Sequence, residues 1–139
     1  MTRMIFVNLP VRDLAVSRHF YTALGFTINE AFSDDTAACV VISDAIFVMI
    51  LTHAKFAEFT PLPIGDAKVH CQHLLALSHD SRADVDAIMT AALDAGGSEP
   101  RPVQDMGFMY SRAFADPDGH TWEPMWMDPA AAASGPPDM

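Results

Sequence analysis

The alternation of apolar and polar positions along the chain predicts two successive copies of one element order, β-α-β-β-β. In the first copy, a helix is predicted over residues 14–24, with Asp13 as its N-cap and Gly25 at its end. The strands of this copy, marked by β-branched and aromatic residues, are predicted at residues 4–11, 26–32, 36–42 and 45–52.

The second copy repeats the element order with little sequence identity to the first. Ser81 to Asp84 has the form of a capping box, and Val85 begins a series of apolar positions at the spacing of an amphipathic helix, which Gly96 and Gly97 end. The strands of this copy are predicted at residues 69–78, 99–104, 108–115 and 121–127.

Four strands with one helix form a two-layer α+β unit, and two such units with concave sheets would form a cup. We therefore predict one α+β domain over residues 1–128, an eight-stranded cup built from module one (3–53), a connector (54–68) and module two (69–128). Residues 129–139 are small and proline-rich, and they are predicted to be a disordered tail.

Composition narrows the classes of partner. Half of the 139 residues are hydrophobic and 19% are charged, which is typical of a globular chain. The formal net charge of −10, without a basic cluster, argues against nucleic acid and anionic membrane surfaces. No apolar run approaches the ~20 residues that span a bilayer, and there is no export signal, so we predict a cytoplasmic protein. Cys39 and Cys71 lie in apolar runs without metal-type spacing and are expected to be reduced thiols.

The stretch FADPDGHTWEPMW, residues 114–126, places a strong turn signal, Asp-Pro-Asp-Gly, between two strand-like flanks. Glu123 follows this turn in an otherwise apolar strand, where a charge needs a partner, a metal ion or water. Strand alternation puts Glu123 and Met125 on one face. A carboxyl group there could accept a proton or hold an amine or hydroxyl group of a ligand. Alternatively, Glu123 is a structural residue bonded to a donor such as Asn8.

Two motifs at opposite ends of the chain, VRDLAVSRHFYTALGF (residues 11–26) and FADPDGHTWE (residues 114–123), together with the doubled element order, resemble those of the vicinal oxygen chelate superfamily. This is the fold of glyoxalases, bleomycin-resistance proteins and extradiol dioxygenases, and the resemblance covers about residues 4–128. It implies a homodimer. In metal-dependent members it also implies a divalent ion held in the cup by four His, Gln or Glu side chains, one from the first and last strand of each half.

The positions that the resemblance assigns to these ligands are Phe6, Ile50, Leu74 and Glu123. Only Glu123 is a usual metal ligand, and Asn8, which shares a face with the first position, is a weak oxygen donor. A slip of one residue in the fifth strand would replace Leu74 by His73. The unslipped register is preferred, because it turns the neighbouring leucines toward the helix.

The sequence therefore predicts a protein that binds a small, partly apolar molecule in its cup, with no cofactor. Glu123 is the candidate catalytic residue. Contact with the ligand is predicted for Phe6, Asn8, Met49, His70, Gln72, Leu74 and Met125. One alternative is a lyase, isomerase or dioxygenase whose divalent metal ion is held by His73 and Glu123. The other is a metal-free proton-transfer enzyme with Glu123 as its base.

Overall fold

The computed structural model describes residues 2–137, which fall into two compact units. The first unit comprises the residues up to His70 together with Pro117–Gly119, and the second comprises Cys71–Asp116 together with the residues from His120 onward. Each unit has one mixed β-sheet, so the predicted α+β class and the doubled order of elements are confirmed. Within the described residues, no helix is long and apolar enough to cross a membrane.

The first unit holds a four-stranded sheet in the order β1-β4-β3-β2, in which β1 runs parallel to β4 and the other neighbours are antiparallel. Its elements are, in chain order, β1 (Ile5–Val11), α1 (Leu14–Ala23), β2 (Thr27–Asn29), a 3-10 helix (Glu30–Phe32), β3 (Ala37–Val41), β4 (Ile46–Thr52) and α2 (His53–Ala57). The strand predicted at residues 26–32 ends at Asn29, because the Asn29 side chain accepts the Ala31 N–H at 3.1 Å and caps the 3-10 helix.

One face of this sheet carries the core of the first unit. Leu9 lies beside Ile50 in the parallel pair, and both side chains are buried. α1 contacts the sheet and buries Phe20 and Tyr21. The helix starts at the predicted N-cap, Asp13, whose side chain accepts a backbone N–H of the first turn at 3.1 Å.

The second unit holds a five-stranded sheet in the order β5-β9-β7-β6, with β8 also paired to β9. Its elements are, in chain order, β5 (Leu74–Ser78), α3 (Arg82–Asp94), β6 (Gln104–Asp105), β7 (Met109–Ser111), β8 (Phe114–Ala115), β9 (Thr121–Met127) and α4 (Pro129–Ser134). β5 runs parallel to β9, and the other pairs are antiparallel. As predicted, Ser81 caps α3, its hydroxyl accepting the Asp84 N–H at 3.1 Å, and the helix buries Val85 and Met89.

The strand predicted at residues 69–78 begins only at Leu74. Asp66 explains the difference, since its side chain accepts the N–H of Lys68 at 2.9 Å and its carbonyl accepts the N–H of His70, also at 2.9 Å. This turn competes with extended backbone. The prediction of a strand over the first half of the span is therefore wrong.

The edge of the second sheet and the end of the chain also differ from prediction. Of the edge strand predicted at residues 99–104, only the last residue is in a strand, β6. The prolines in this segment lack the N–H group that a β-ladder requires. The strand predicted at residues 108–115 is divided into β7 and β8. A disordered tail was predicted over residues 129–139, but α4 forms there, capped by the Asp128 side chain. The last two residues of the chain lie outside the described ones.

The Asp-Pro-Asp-Gly turn joins β8 to β9, as predicted, and makes close contacts within the first unit. Asp118 is buried and accepts the N–H of Arg12 at 2.9 Å and the hydroxyl of Ser17 at 3.4 Å. Gly119 has a φ of +96°, and a Cβ atom added to it would lie 2.7 Å from the Lys68 backbone nitrogen. Only glycine fits a backbone position with both constraints.

We expect Gly119→Ala to lower the free energy of unfolding by about 3 kcal/mol, since the positive φ and the contact with backbone both oppose a side chain. Gly25→Ala is the matched control, because Gly25 has a φ of +97° but an added Cβ atom would meet nothing within 4 Å. The control should lose only ~1 kcal/mol. Urea unfolding of both variants measures the difference, and equal losses would show that Lys68 imposes no constraint.

Candidate functional site

One face of the second sheet is covered by α3, and the opposite face carries Glu123. In the parallel β5–β9 pair, Ala76 lies opposite Glu123, so the two side chains point to the same side. The strand residues on this side, called here the Glu123 face, are Leu74, Ala76, Ser78, Met109, Ser111, Thr121, Glu123, Met125 and Met127. Leu74 is 57% exposed on this face. The register preferred from the sequence, with Leu74 rather than His73 on the side of Glu123, is confirmed.

Glu123 is held by Arg101, a residue that has no role in the sequence predictions. The Nε and Nη2 atoms of Arg101 donate to the Oε2 atom of Glu123 at 3.3 and 3.0 Å. Both side chains are largely withdrawn from solvent, with 22% of Arg101 and 21% of Glu123 exposed. Asn8, the donor considered from the sequence, instead donates to the carbonyl of Phe6 at 3.2 Å. The charge of Glu123 is therefore balanced by an ion pair within the second unit.

Further hydrogen bonds fix the direction of the Arg101 side chain. Its Nη2 atom donates to the Ser111 hydroxyl at 2.8 Å, and its Nη1 atom donates to the Pro102 carbonyl at 3.0 Å. No strand carries Arg101, so these bonds, rather than a sheet register, determine where its side chain points. The available signal in the sequence was a lone arginine between two prolines, in a chain with only eight Lys and Arg residues.

The segment that carries Arg101 is anchored at both ends by other ion pairs. Toward its start, Glu99 accepts two hydrogen bonds from Arg112, at 3.0 and 3.2 Å. Toward its end, Asp105 accepts two from Arg82, at 2.8 and 3.0 Å. The bonds from Arg82 are the main reason that the pKa of Asp105 is lowered to about 2. Arg101 therefore lies in an irregular segment that is nevertheless held in place.

Arg82 also contacts two aromatic rings on the α3 side of the sheet. Its Cζ atom lies 5.0 Å from the centroid of the Tyr110 ring and 5.2 Å from that of Trp126. The Tyr110 hydroxyl donates to Asp86 of α3 at 2.7 Å, and this bond is the main cause of the lowered pKa of Asp86. These contacts join the β6–β7 hairpin to α3, and the hairpin adjoins the segment that carries Arg101.

Three of the predicted contact residues share one face of the first sheet. The register pairs Phe6 with Phe47 and Asn8 with Met49, so these side chains lie on the face opposite the core. The Phe6 and Phe47 rings are stacked with centroids 4.7 Å apart, and Phe6 is 49% exposed. Ile50, the position expected for the second metal ligand, points into the core instead. The prediction that Ile50 points away from the core is wrong. Neighbouring strand residues point to opposite faces, so Met49 lies on the face opposite the core and Ile50 lies in the core.

The residues expected beside Leu74 lie outside β5. His70 and Gln72 are in the exposed chain that precedes the strand, so the prediction that they share its face is wrong. His73 stacks on His120, with ring centroids 6.0 Å apart. The pKa of His73 is lowered, mainly by partial desolvation and further by the neighbouring His120. A contact of His70 or Gln72 with a ligand stays a prediction.

The side chains at the four assigned positions do not fit a divalent metal ion. Three of them carry no donor atom: Phe6, Ile50 and Leu74. The fourth, Glu123, is engaged by Arg101, and His73, the alternative ligand, is stacked on another imidazole. Within residues 2–137, no group of three or more His, Cys, Asp or Glu side chains is placed to hold a metal ion.

We expect Arg101 and Glu123 to couple by about 1–2 kcal/mol in the free energy of unfolding, because both charges are mostly withdrawn from water. A double-mutant cycle with Arg101→Gln and Glu123→Gln, read by urea unfolding, measures this coupling. Lys55 and Glu58 are the control pair, since they lie 3.5 Å apart with 33% and 63% of the side chain exposed. Their coupling should stay below about 0.5 kcal/mol. Equal coupling energies for the two pairs would show that the Arg101–Glu123 pair is screened by water as much as the exposed pair.

Lowering the pH should destabilise the protein through His73 and His79. The pKa of each is lowered from 6.5, chiefly by desolvation, so the unfolded chain binds these protons more readily than the folded one. This contribution to stability is complete above pH 6.5 and is lost as the pH falls through the lower pKa of the folded state. Urea unfolding between about pH 7.5 and pH 5 measures the slope. His79→Gln should reduce this slope, and an unchanged slope would show that His79 does not contribute.

Residues 3–43 match a family model described as bleomycin resistance protein-like N-terminal. No curated protein matches the chain significantly.

Several solved structures share the fold over nearly the whole chain. A hypothetical protein from S. aureus is 24% identical with a TM-score of 0.76, over 91% of this chain and 94% of that one. A glyoxalase/bleomycin resistance protein/dioxygenase family enzyme from Burkholderia phytofirmans is 18% identical, with a TM-score of 0.74, over 91% and 99%. A glyoxalase-related enzyme from Fulvimarina pelagi is 20% identical, with a TM-score of 0.75, over 91% and 88%. The chain thus has the glyoxalase/bleomycin-resistance/dioxygenase fold, and its resemblance to the vicinal oxygen chelate superfamily is confirmed.

Proposed function

We propose that the protein binds a small, partly apolar molecule on the Glu123 face, without a catalytic metal ion. The observation that carries this proposal is the Arg101–Glu123 ion pair, which lies on a face of leucine, alanine, methionine, serine and threonine side chains with its charges balanced inside the protein. A surface of this kind offers area to an apolar ligand and one polar point that orients it.

The apolar side chains of the Glu123 face support the proposal. Leu74 is 57% exposed, and Met125 and Met127 are partly exposed on the same face as Glu123. An apolar side chain left this open is available to cover an apolar ligand. Methionine side chains are flexible and adapt to ligands of varied shape.

The fold alone does not choose between binding and catalysis, because it hosts unrelated chemistries. Similar structures include both a family enzyme and a glyoxalase/bleomycin resistance protein from Albidiferax ferrireducens. The side chains at the positions assigned to metal ligands favour binding without a metal ion, since the carboxylate among them, Glu123, is paired with Arg101. Contact of a ligand with Phe6, Asn8 and Met49, which share the face of the first sheet opposite its core, stays a prediction from the sequence.

A homodimer, which the resemblance implies, is also a proposal. It is supported by large apolar side chains that the first unit leaves between 69% and 72% exposed: Phe32, Phe59, Leu62 and Val69. Association of two copies would cover residues of this kind. A cytoplasmic location stays a prediction from the sequence.

We expect Leu74→Gln to weaken the binding of N-phenyl-1-naphthylamine, an uncharged apolar probe with one N–H group, by about fivefold, since less apolar area would be covered. Fluorescence titration in a buffer that contains EDTA measures the affinity. Leu93→Gln is the matched control, because Leu93 is a 40% exposed leucine on α3 of the same unit. The Leu93→Gln variant should bind the probe with the same affinity as the unmodified protein.

Two outcomes would contradict the proposal. Equal affinities of Leu74→Gln and Leu93→Gln would place the probe away from the Glu123 face. Binding that EDTA abolishes, or stoichiometric uptake of Ni, Zn, Mn or Fe(II) that disappears in Glu123→Gln, would show that a metal ion takes part.

A further inference from the structure

One carboxylate oxygen of the Arg101–Glu123 ion pair, Oε1 of Glu123, receives no hydrogen bond from the described residues. This oxygen indicates which class of ligand the pair can bind. Building on the proposed function, we infer that the polar end of the ligand is a hydrogen-bond donor, an ammonium or hydroxyl group, received by the Oε1 atom of Glu123. A carboxylate or phosphate group is disfavoured at this point.

The guanidinium of Arg101 is largely occupied by acceptors of the protein. Nε and Nη2 donate to Oε2 of Glu123, and Nη2 also donates to the Ser111 hydroxyl at 2.8 Å and toward the Arg112 carbonyl at 3.4 Å. Nη1 donates to the Pro102 carbonyl at 3.0 Å, which leaves one of its two N–H groups. A carboxylate or phosphate gains most from an arginine when two parallel N–H groups face it. Arg101 does not offer that pair.

The carboxylate of Glu123 is used on one side only. Both bonds from Arg101 go to Oε2, and among residues 2–137 no donor bonds Oε1. Among the described residues, Oε1 is not one of the buried side-chain atoms that lack a partner, so it is open to solvent, and a hydrogen bond to a charged group is among the stronger ones. With 21% of the Glu123 side chain exposed, an N–H or O–H group of a ligand on this face can supply the donor.

Charge favours the same class of ligand. The positive charge of Arg101 is neutralised by its ion pair, and the chain as a whole has a formal net charge of −10. A negative ligand would approach the unbonded Oε1 oxygen of Glu123 and a negative protein, whereas a positive ligand is attracted by both. Since ion pairs at Glu99 and Asp105 anchor the segment that carries Arg101, the carboxylate keeps one orientation and can select by geometry.

The test uses three probes with the same six-carbon chain: hexylamine, 1-hexanol and hexanoate. Binding to the full chain near pH 7 is measured by ligand-observed NMR, and the shift of the Arg101 Nε–H resonance locates each probe. We expect hexylamine to bind most tightly and hexanoate most weakly, with about a tenfold ratio between them. Glu123→Gln should abolish the preference for hexylamine and strengthen hexanoate binding, because the charge of Arg101 is then unbalanced. Glu58→Gln removes an exposed carboxylate of the first unit and should leave the order unchanged.

The outcomes separate this inference from the proposed function. Equal affinities for the three probes, hexanoate as the tightest, or an order unaffected by Glu123→Gln would overturn the inference and leave small-molecule binding standing. Failure of all three probes, and of the uncharged naphthylamine, to bind would overturn both. If Glu123→Gln does not fold, Arg101→Gln serves instead. It leaves the carboxylate unbalanced and should keep or increase the preference for hexylamine, and a reversed order in that variant would overturn the inference.

Discussion

The mostly buried charge of Glu123 is the constraint on which much of the second unit depends. Its strand presents methionine and threonine on the same face, so the carboxylate needs a cation close by. Arg101 supplies that cation from the irregular residues between Ser98, which is bridged to Ala115, and β6. Further arginine–carboxylate pairs at Glu99 and Asp105 also hold this segment at both ends. The Arg101–Glu123 pair is thus flanked by two further ion pairs of the same unit.

The pairing also changes what the position can recognise. The superfamily resemblance assigns Glu123 to a metal ion, which accepts electron pairs and keeps exchangeable positions for a substrate. A guanidinium instead donates hydrogen bonds, and its charge is permanent. Under the proposed function, the position keeps a charge-balanced polar point and selects hydrogen-bonding groups rather than chelating oxygens. The fold is shared with a family enzyme and a glyoxalase/bleomycin resistance protein, so the fold alone does not fix the chemistry at this position.

Local chemistry explains which parts of the structure could be predicted from the sequence. The caps at Asp13 and Ser81, the span of β9 and the face of Leu74 follow from residues within a few positions of each feature, and they are found as predicted. The failures have equally specific causes. Asp66 closes a turn through its backbone carbonyl, which the sequence pattern does not show. β4 is apolar on both faces, so alternation could not say that Ile50 points into the core.

The Arg101–Glu123 pair was beyond local reasoning, because its members are 22 residues apart and no strand register brings them together. The balance of charge nevertheless contained a signal. The chain has 18 acidic and eight basic residues. Five arginines of the described chain pair with carboxylates: Arg12, Arg18, Arg82, Arg101 and Arg112. In a chain with so few Lys and Arg residues, Arg101 was one of a small number of possible partners for Glu123. The same scarcity leaves a formal net charge of −10, which supports the inference that the ligand brings a hydrogen-bond donor or a positive charge.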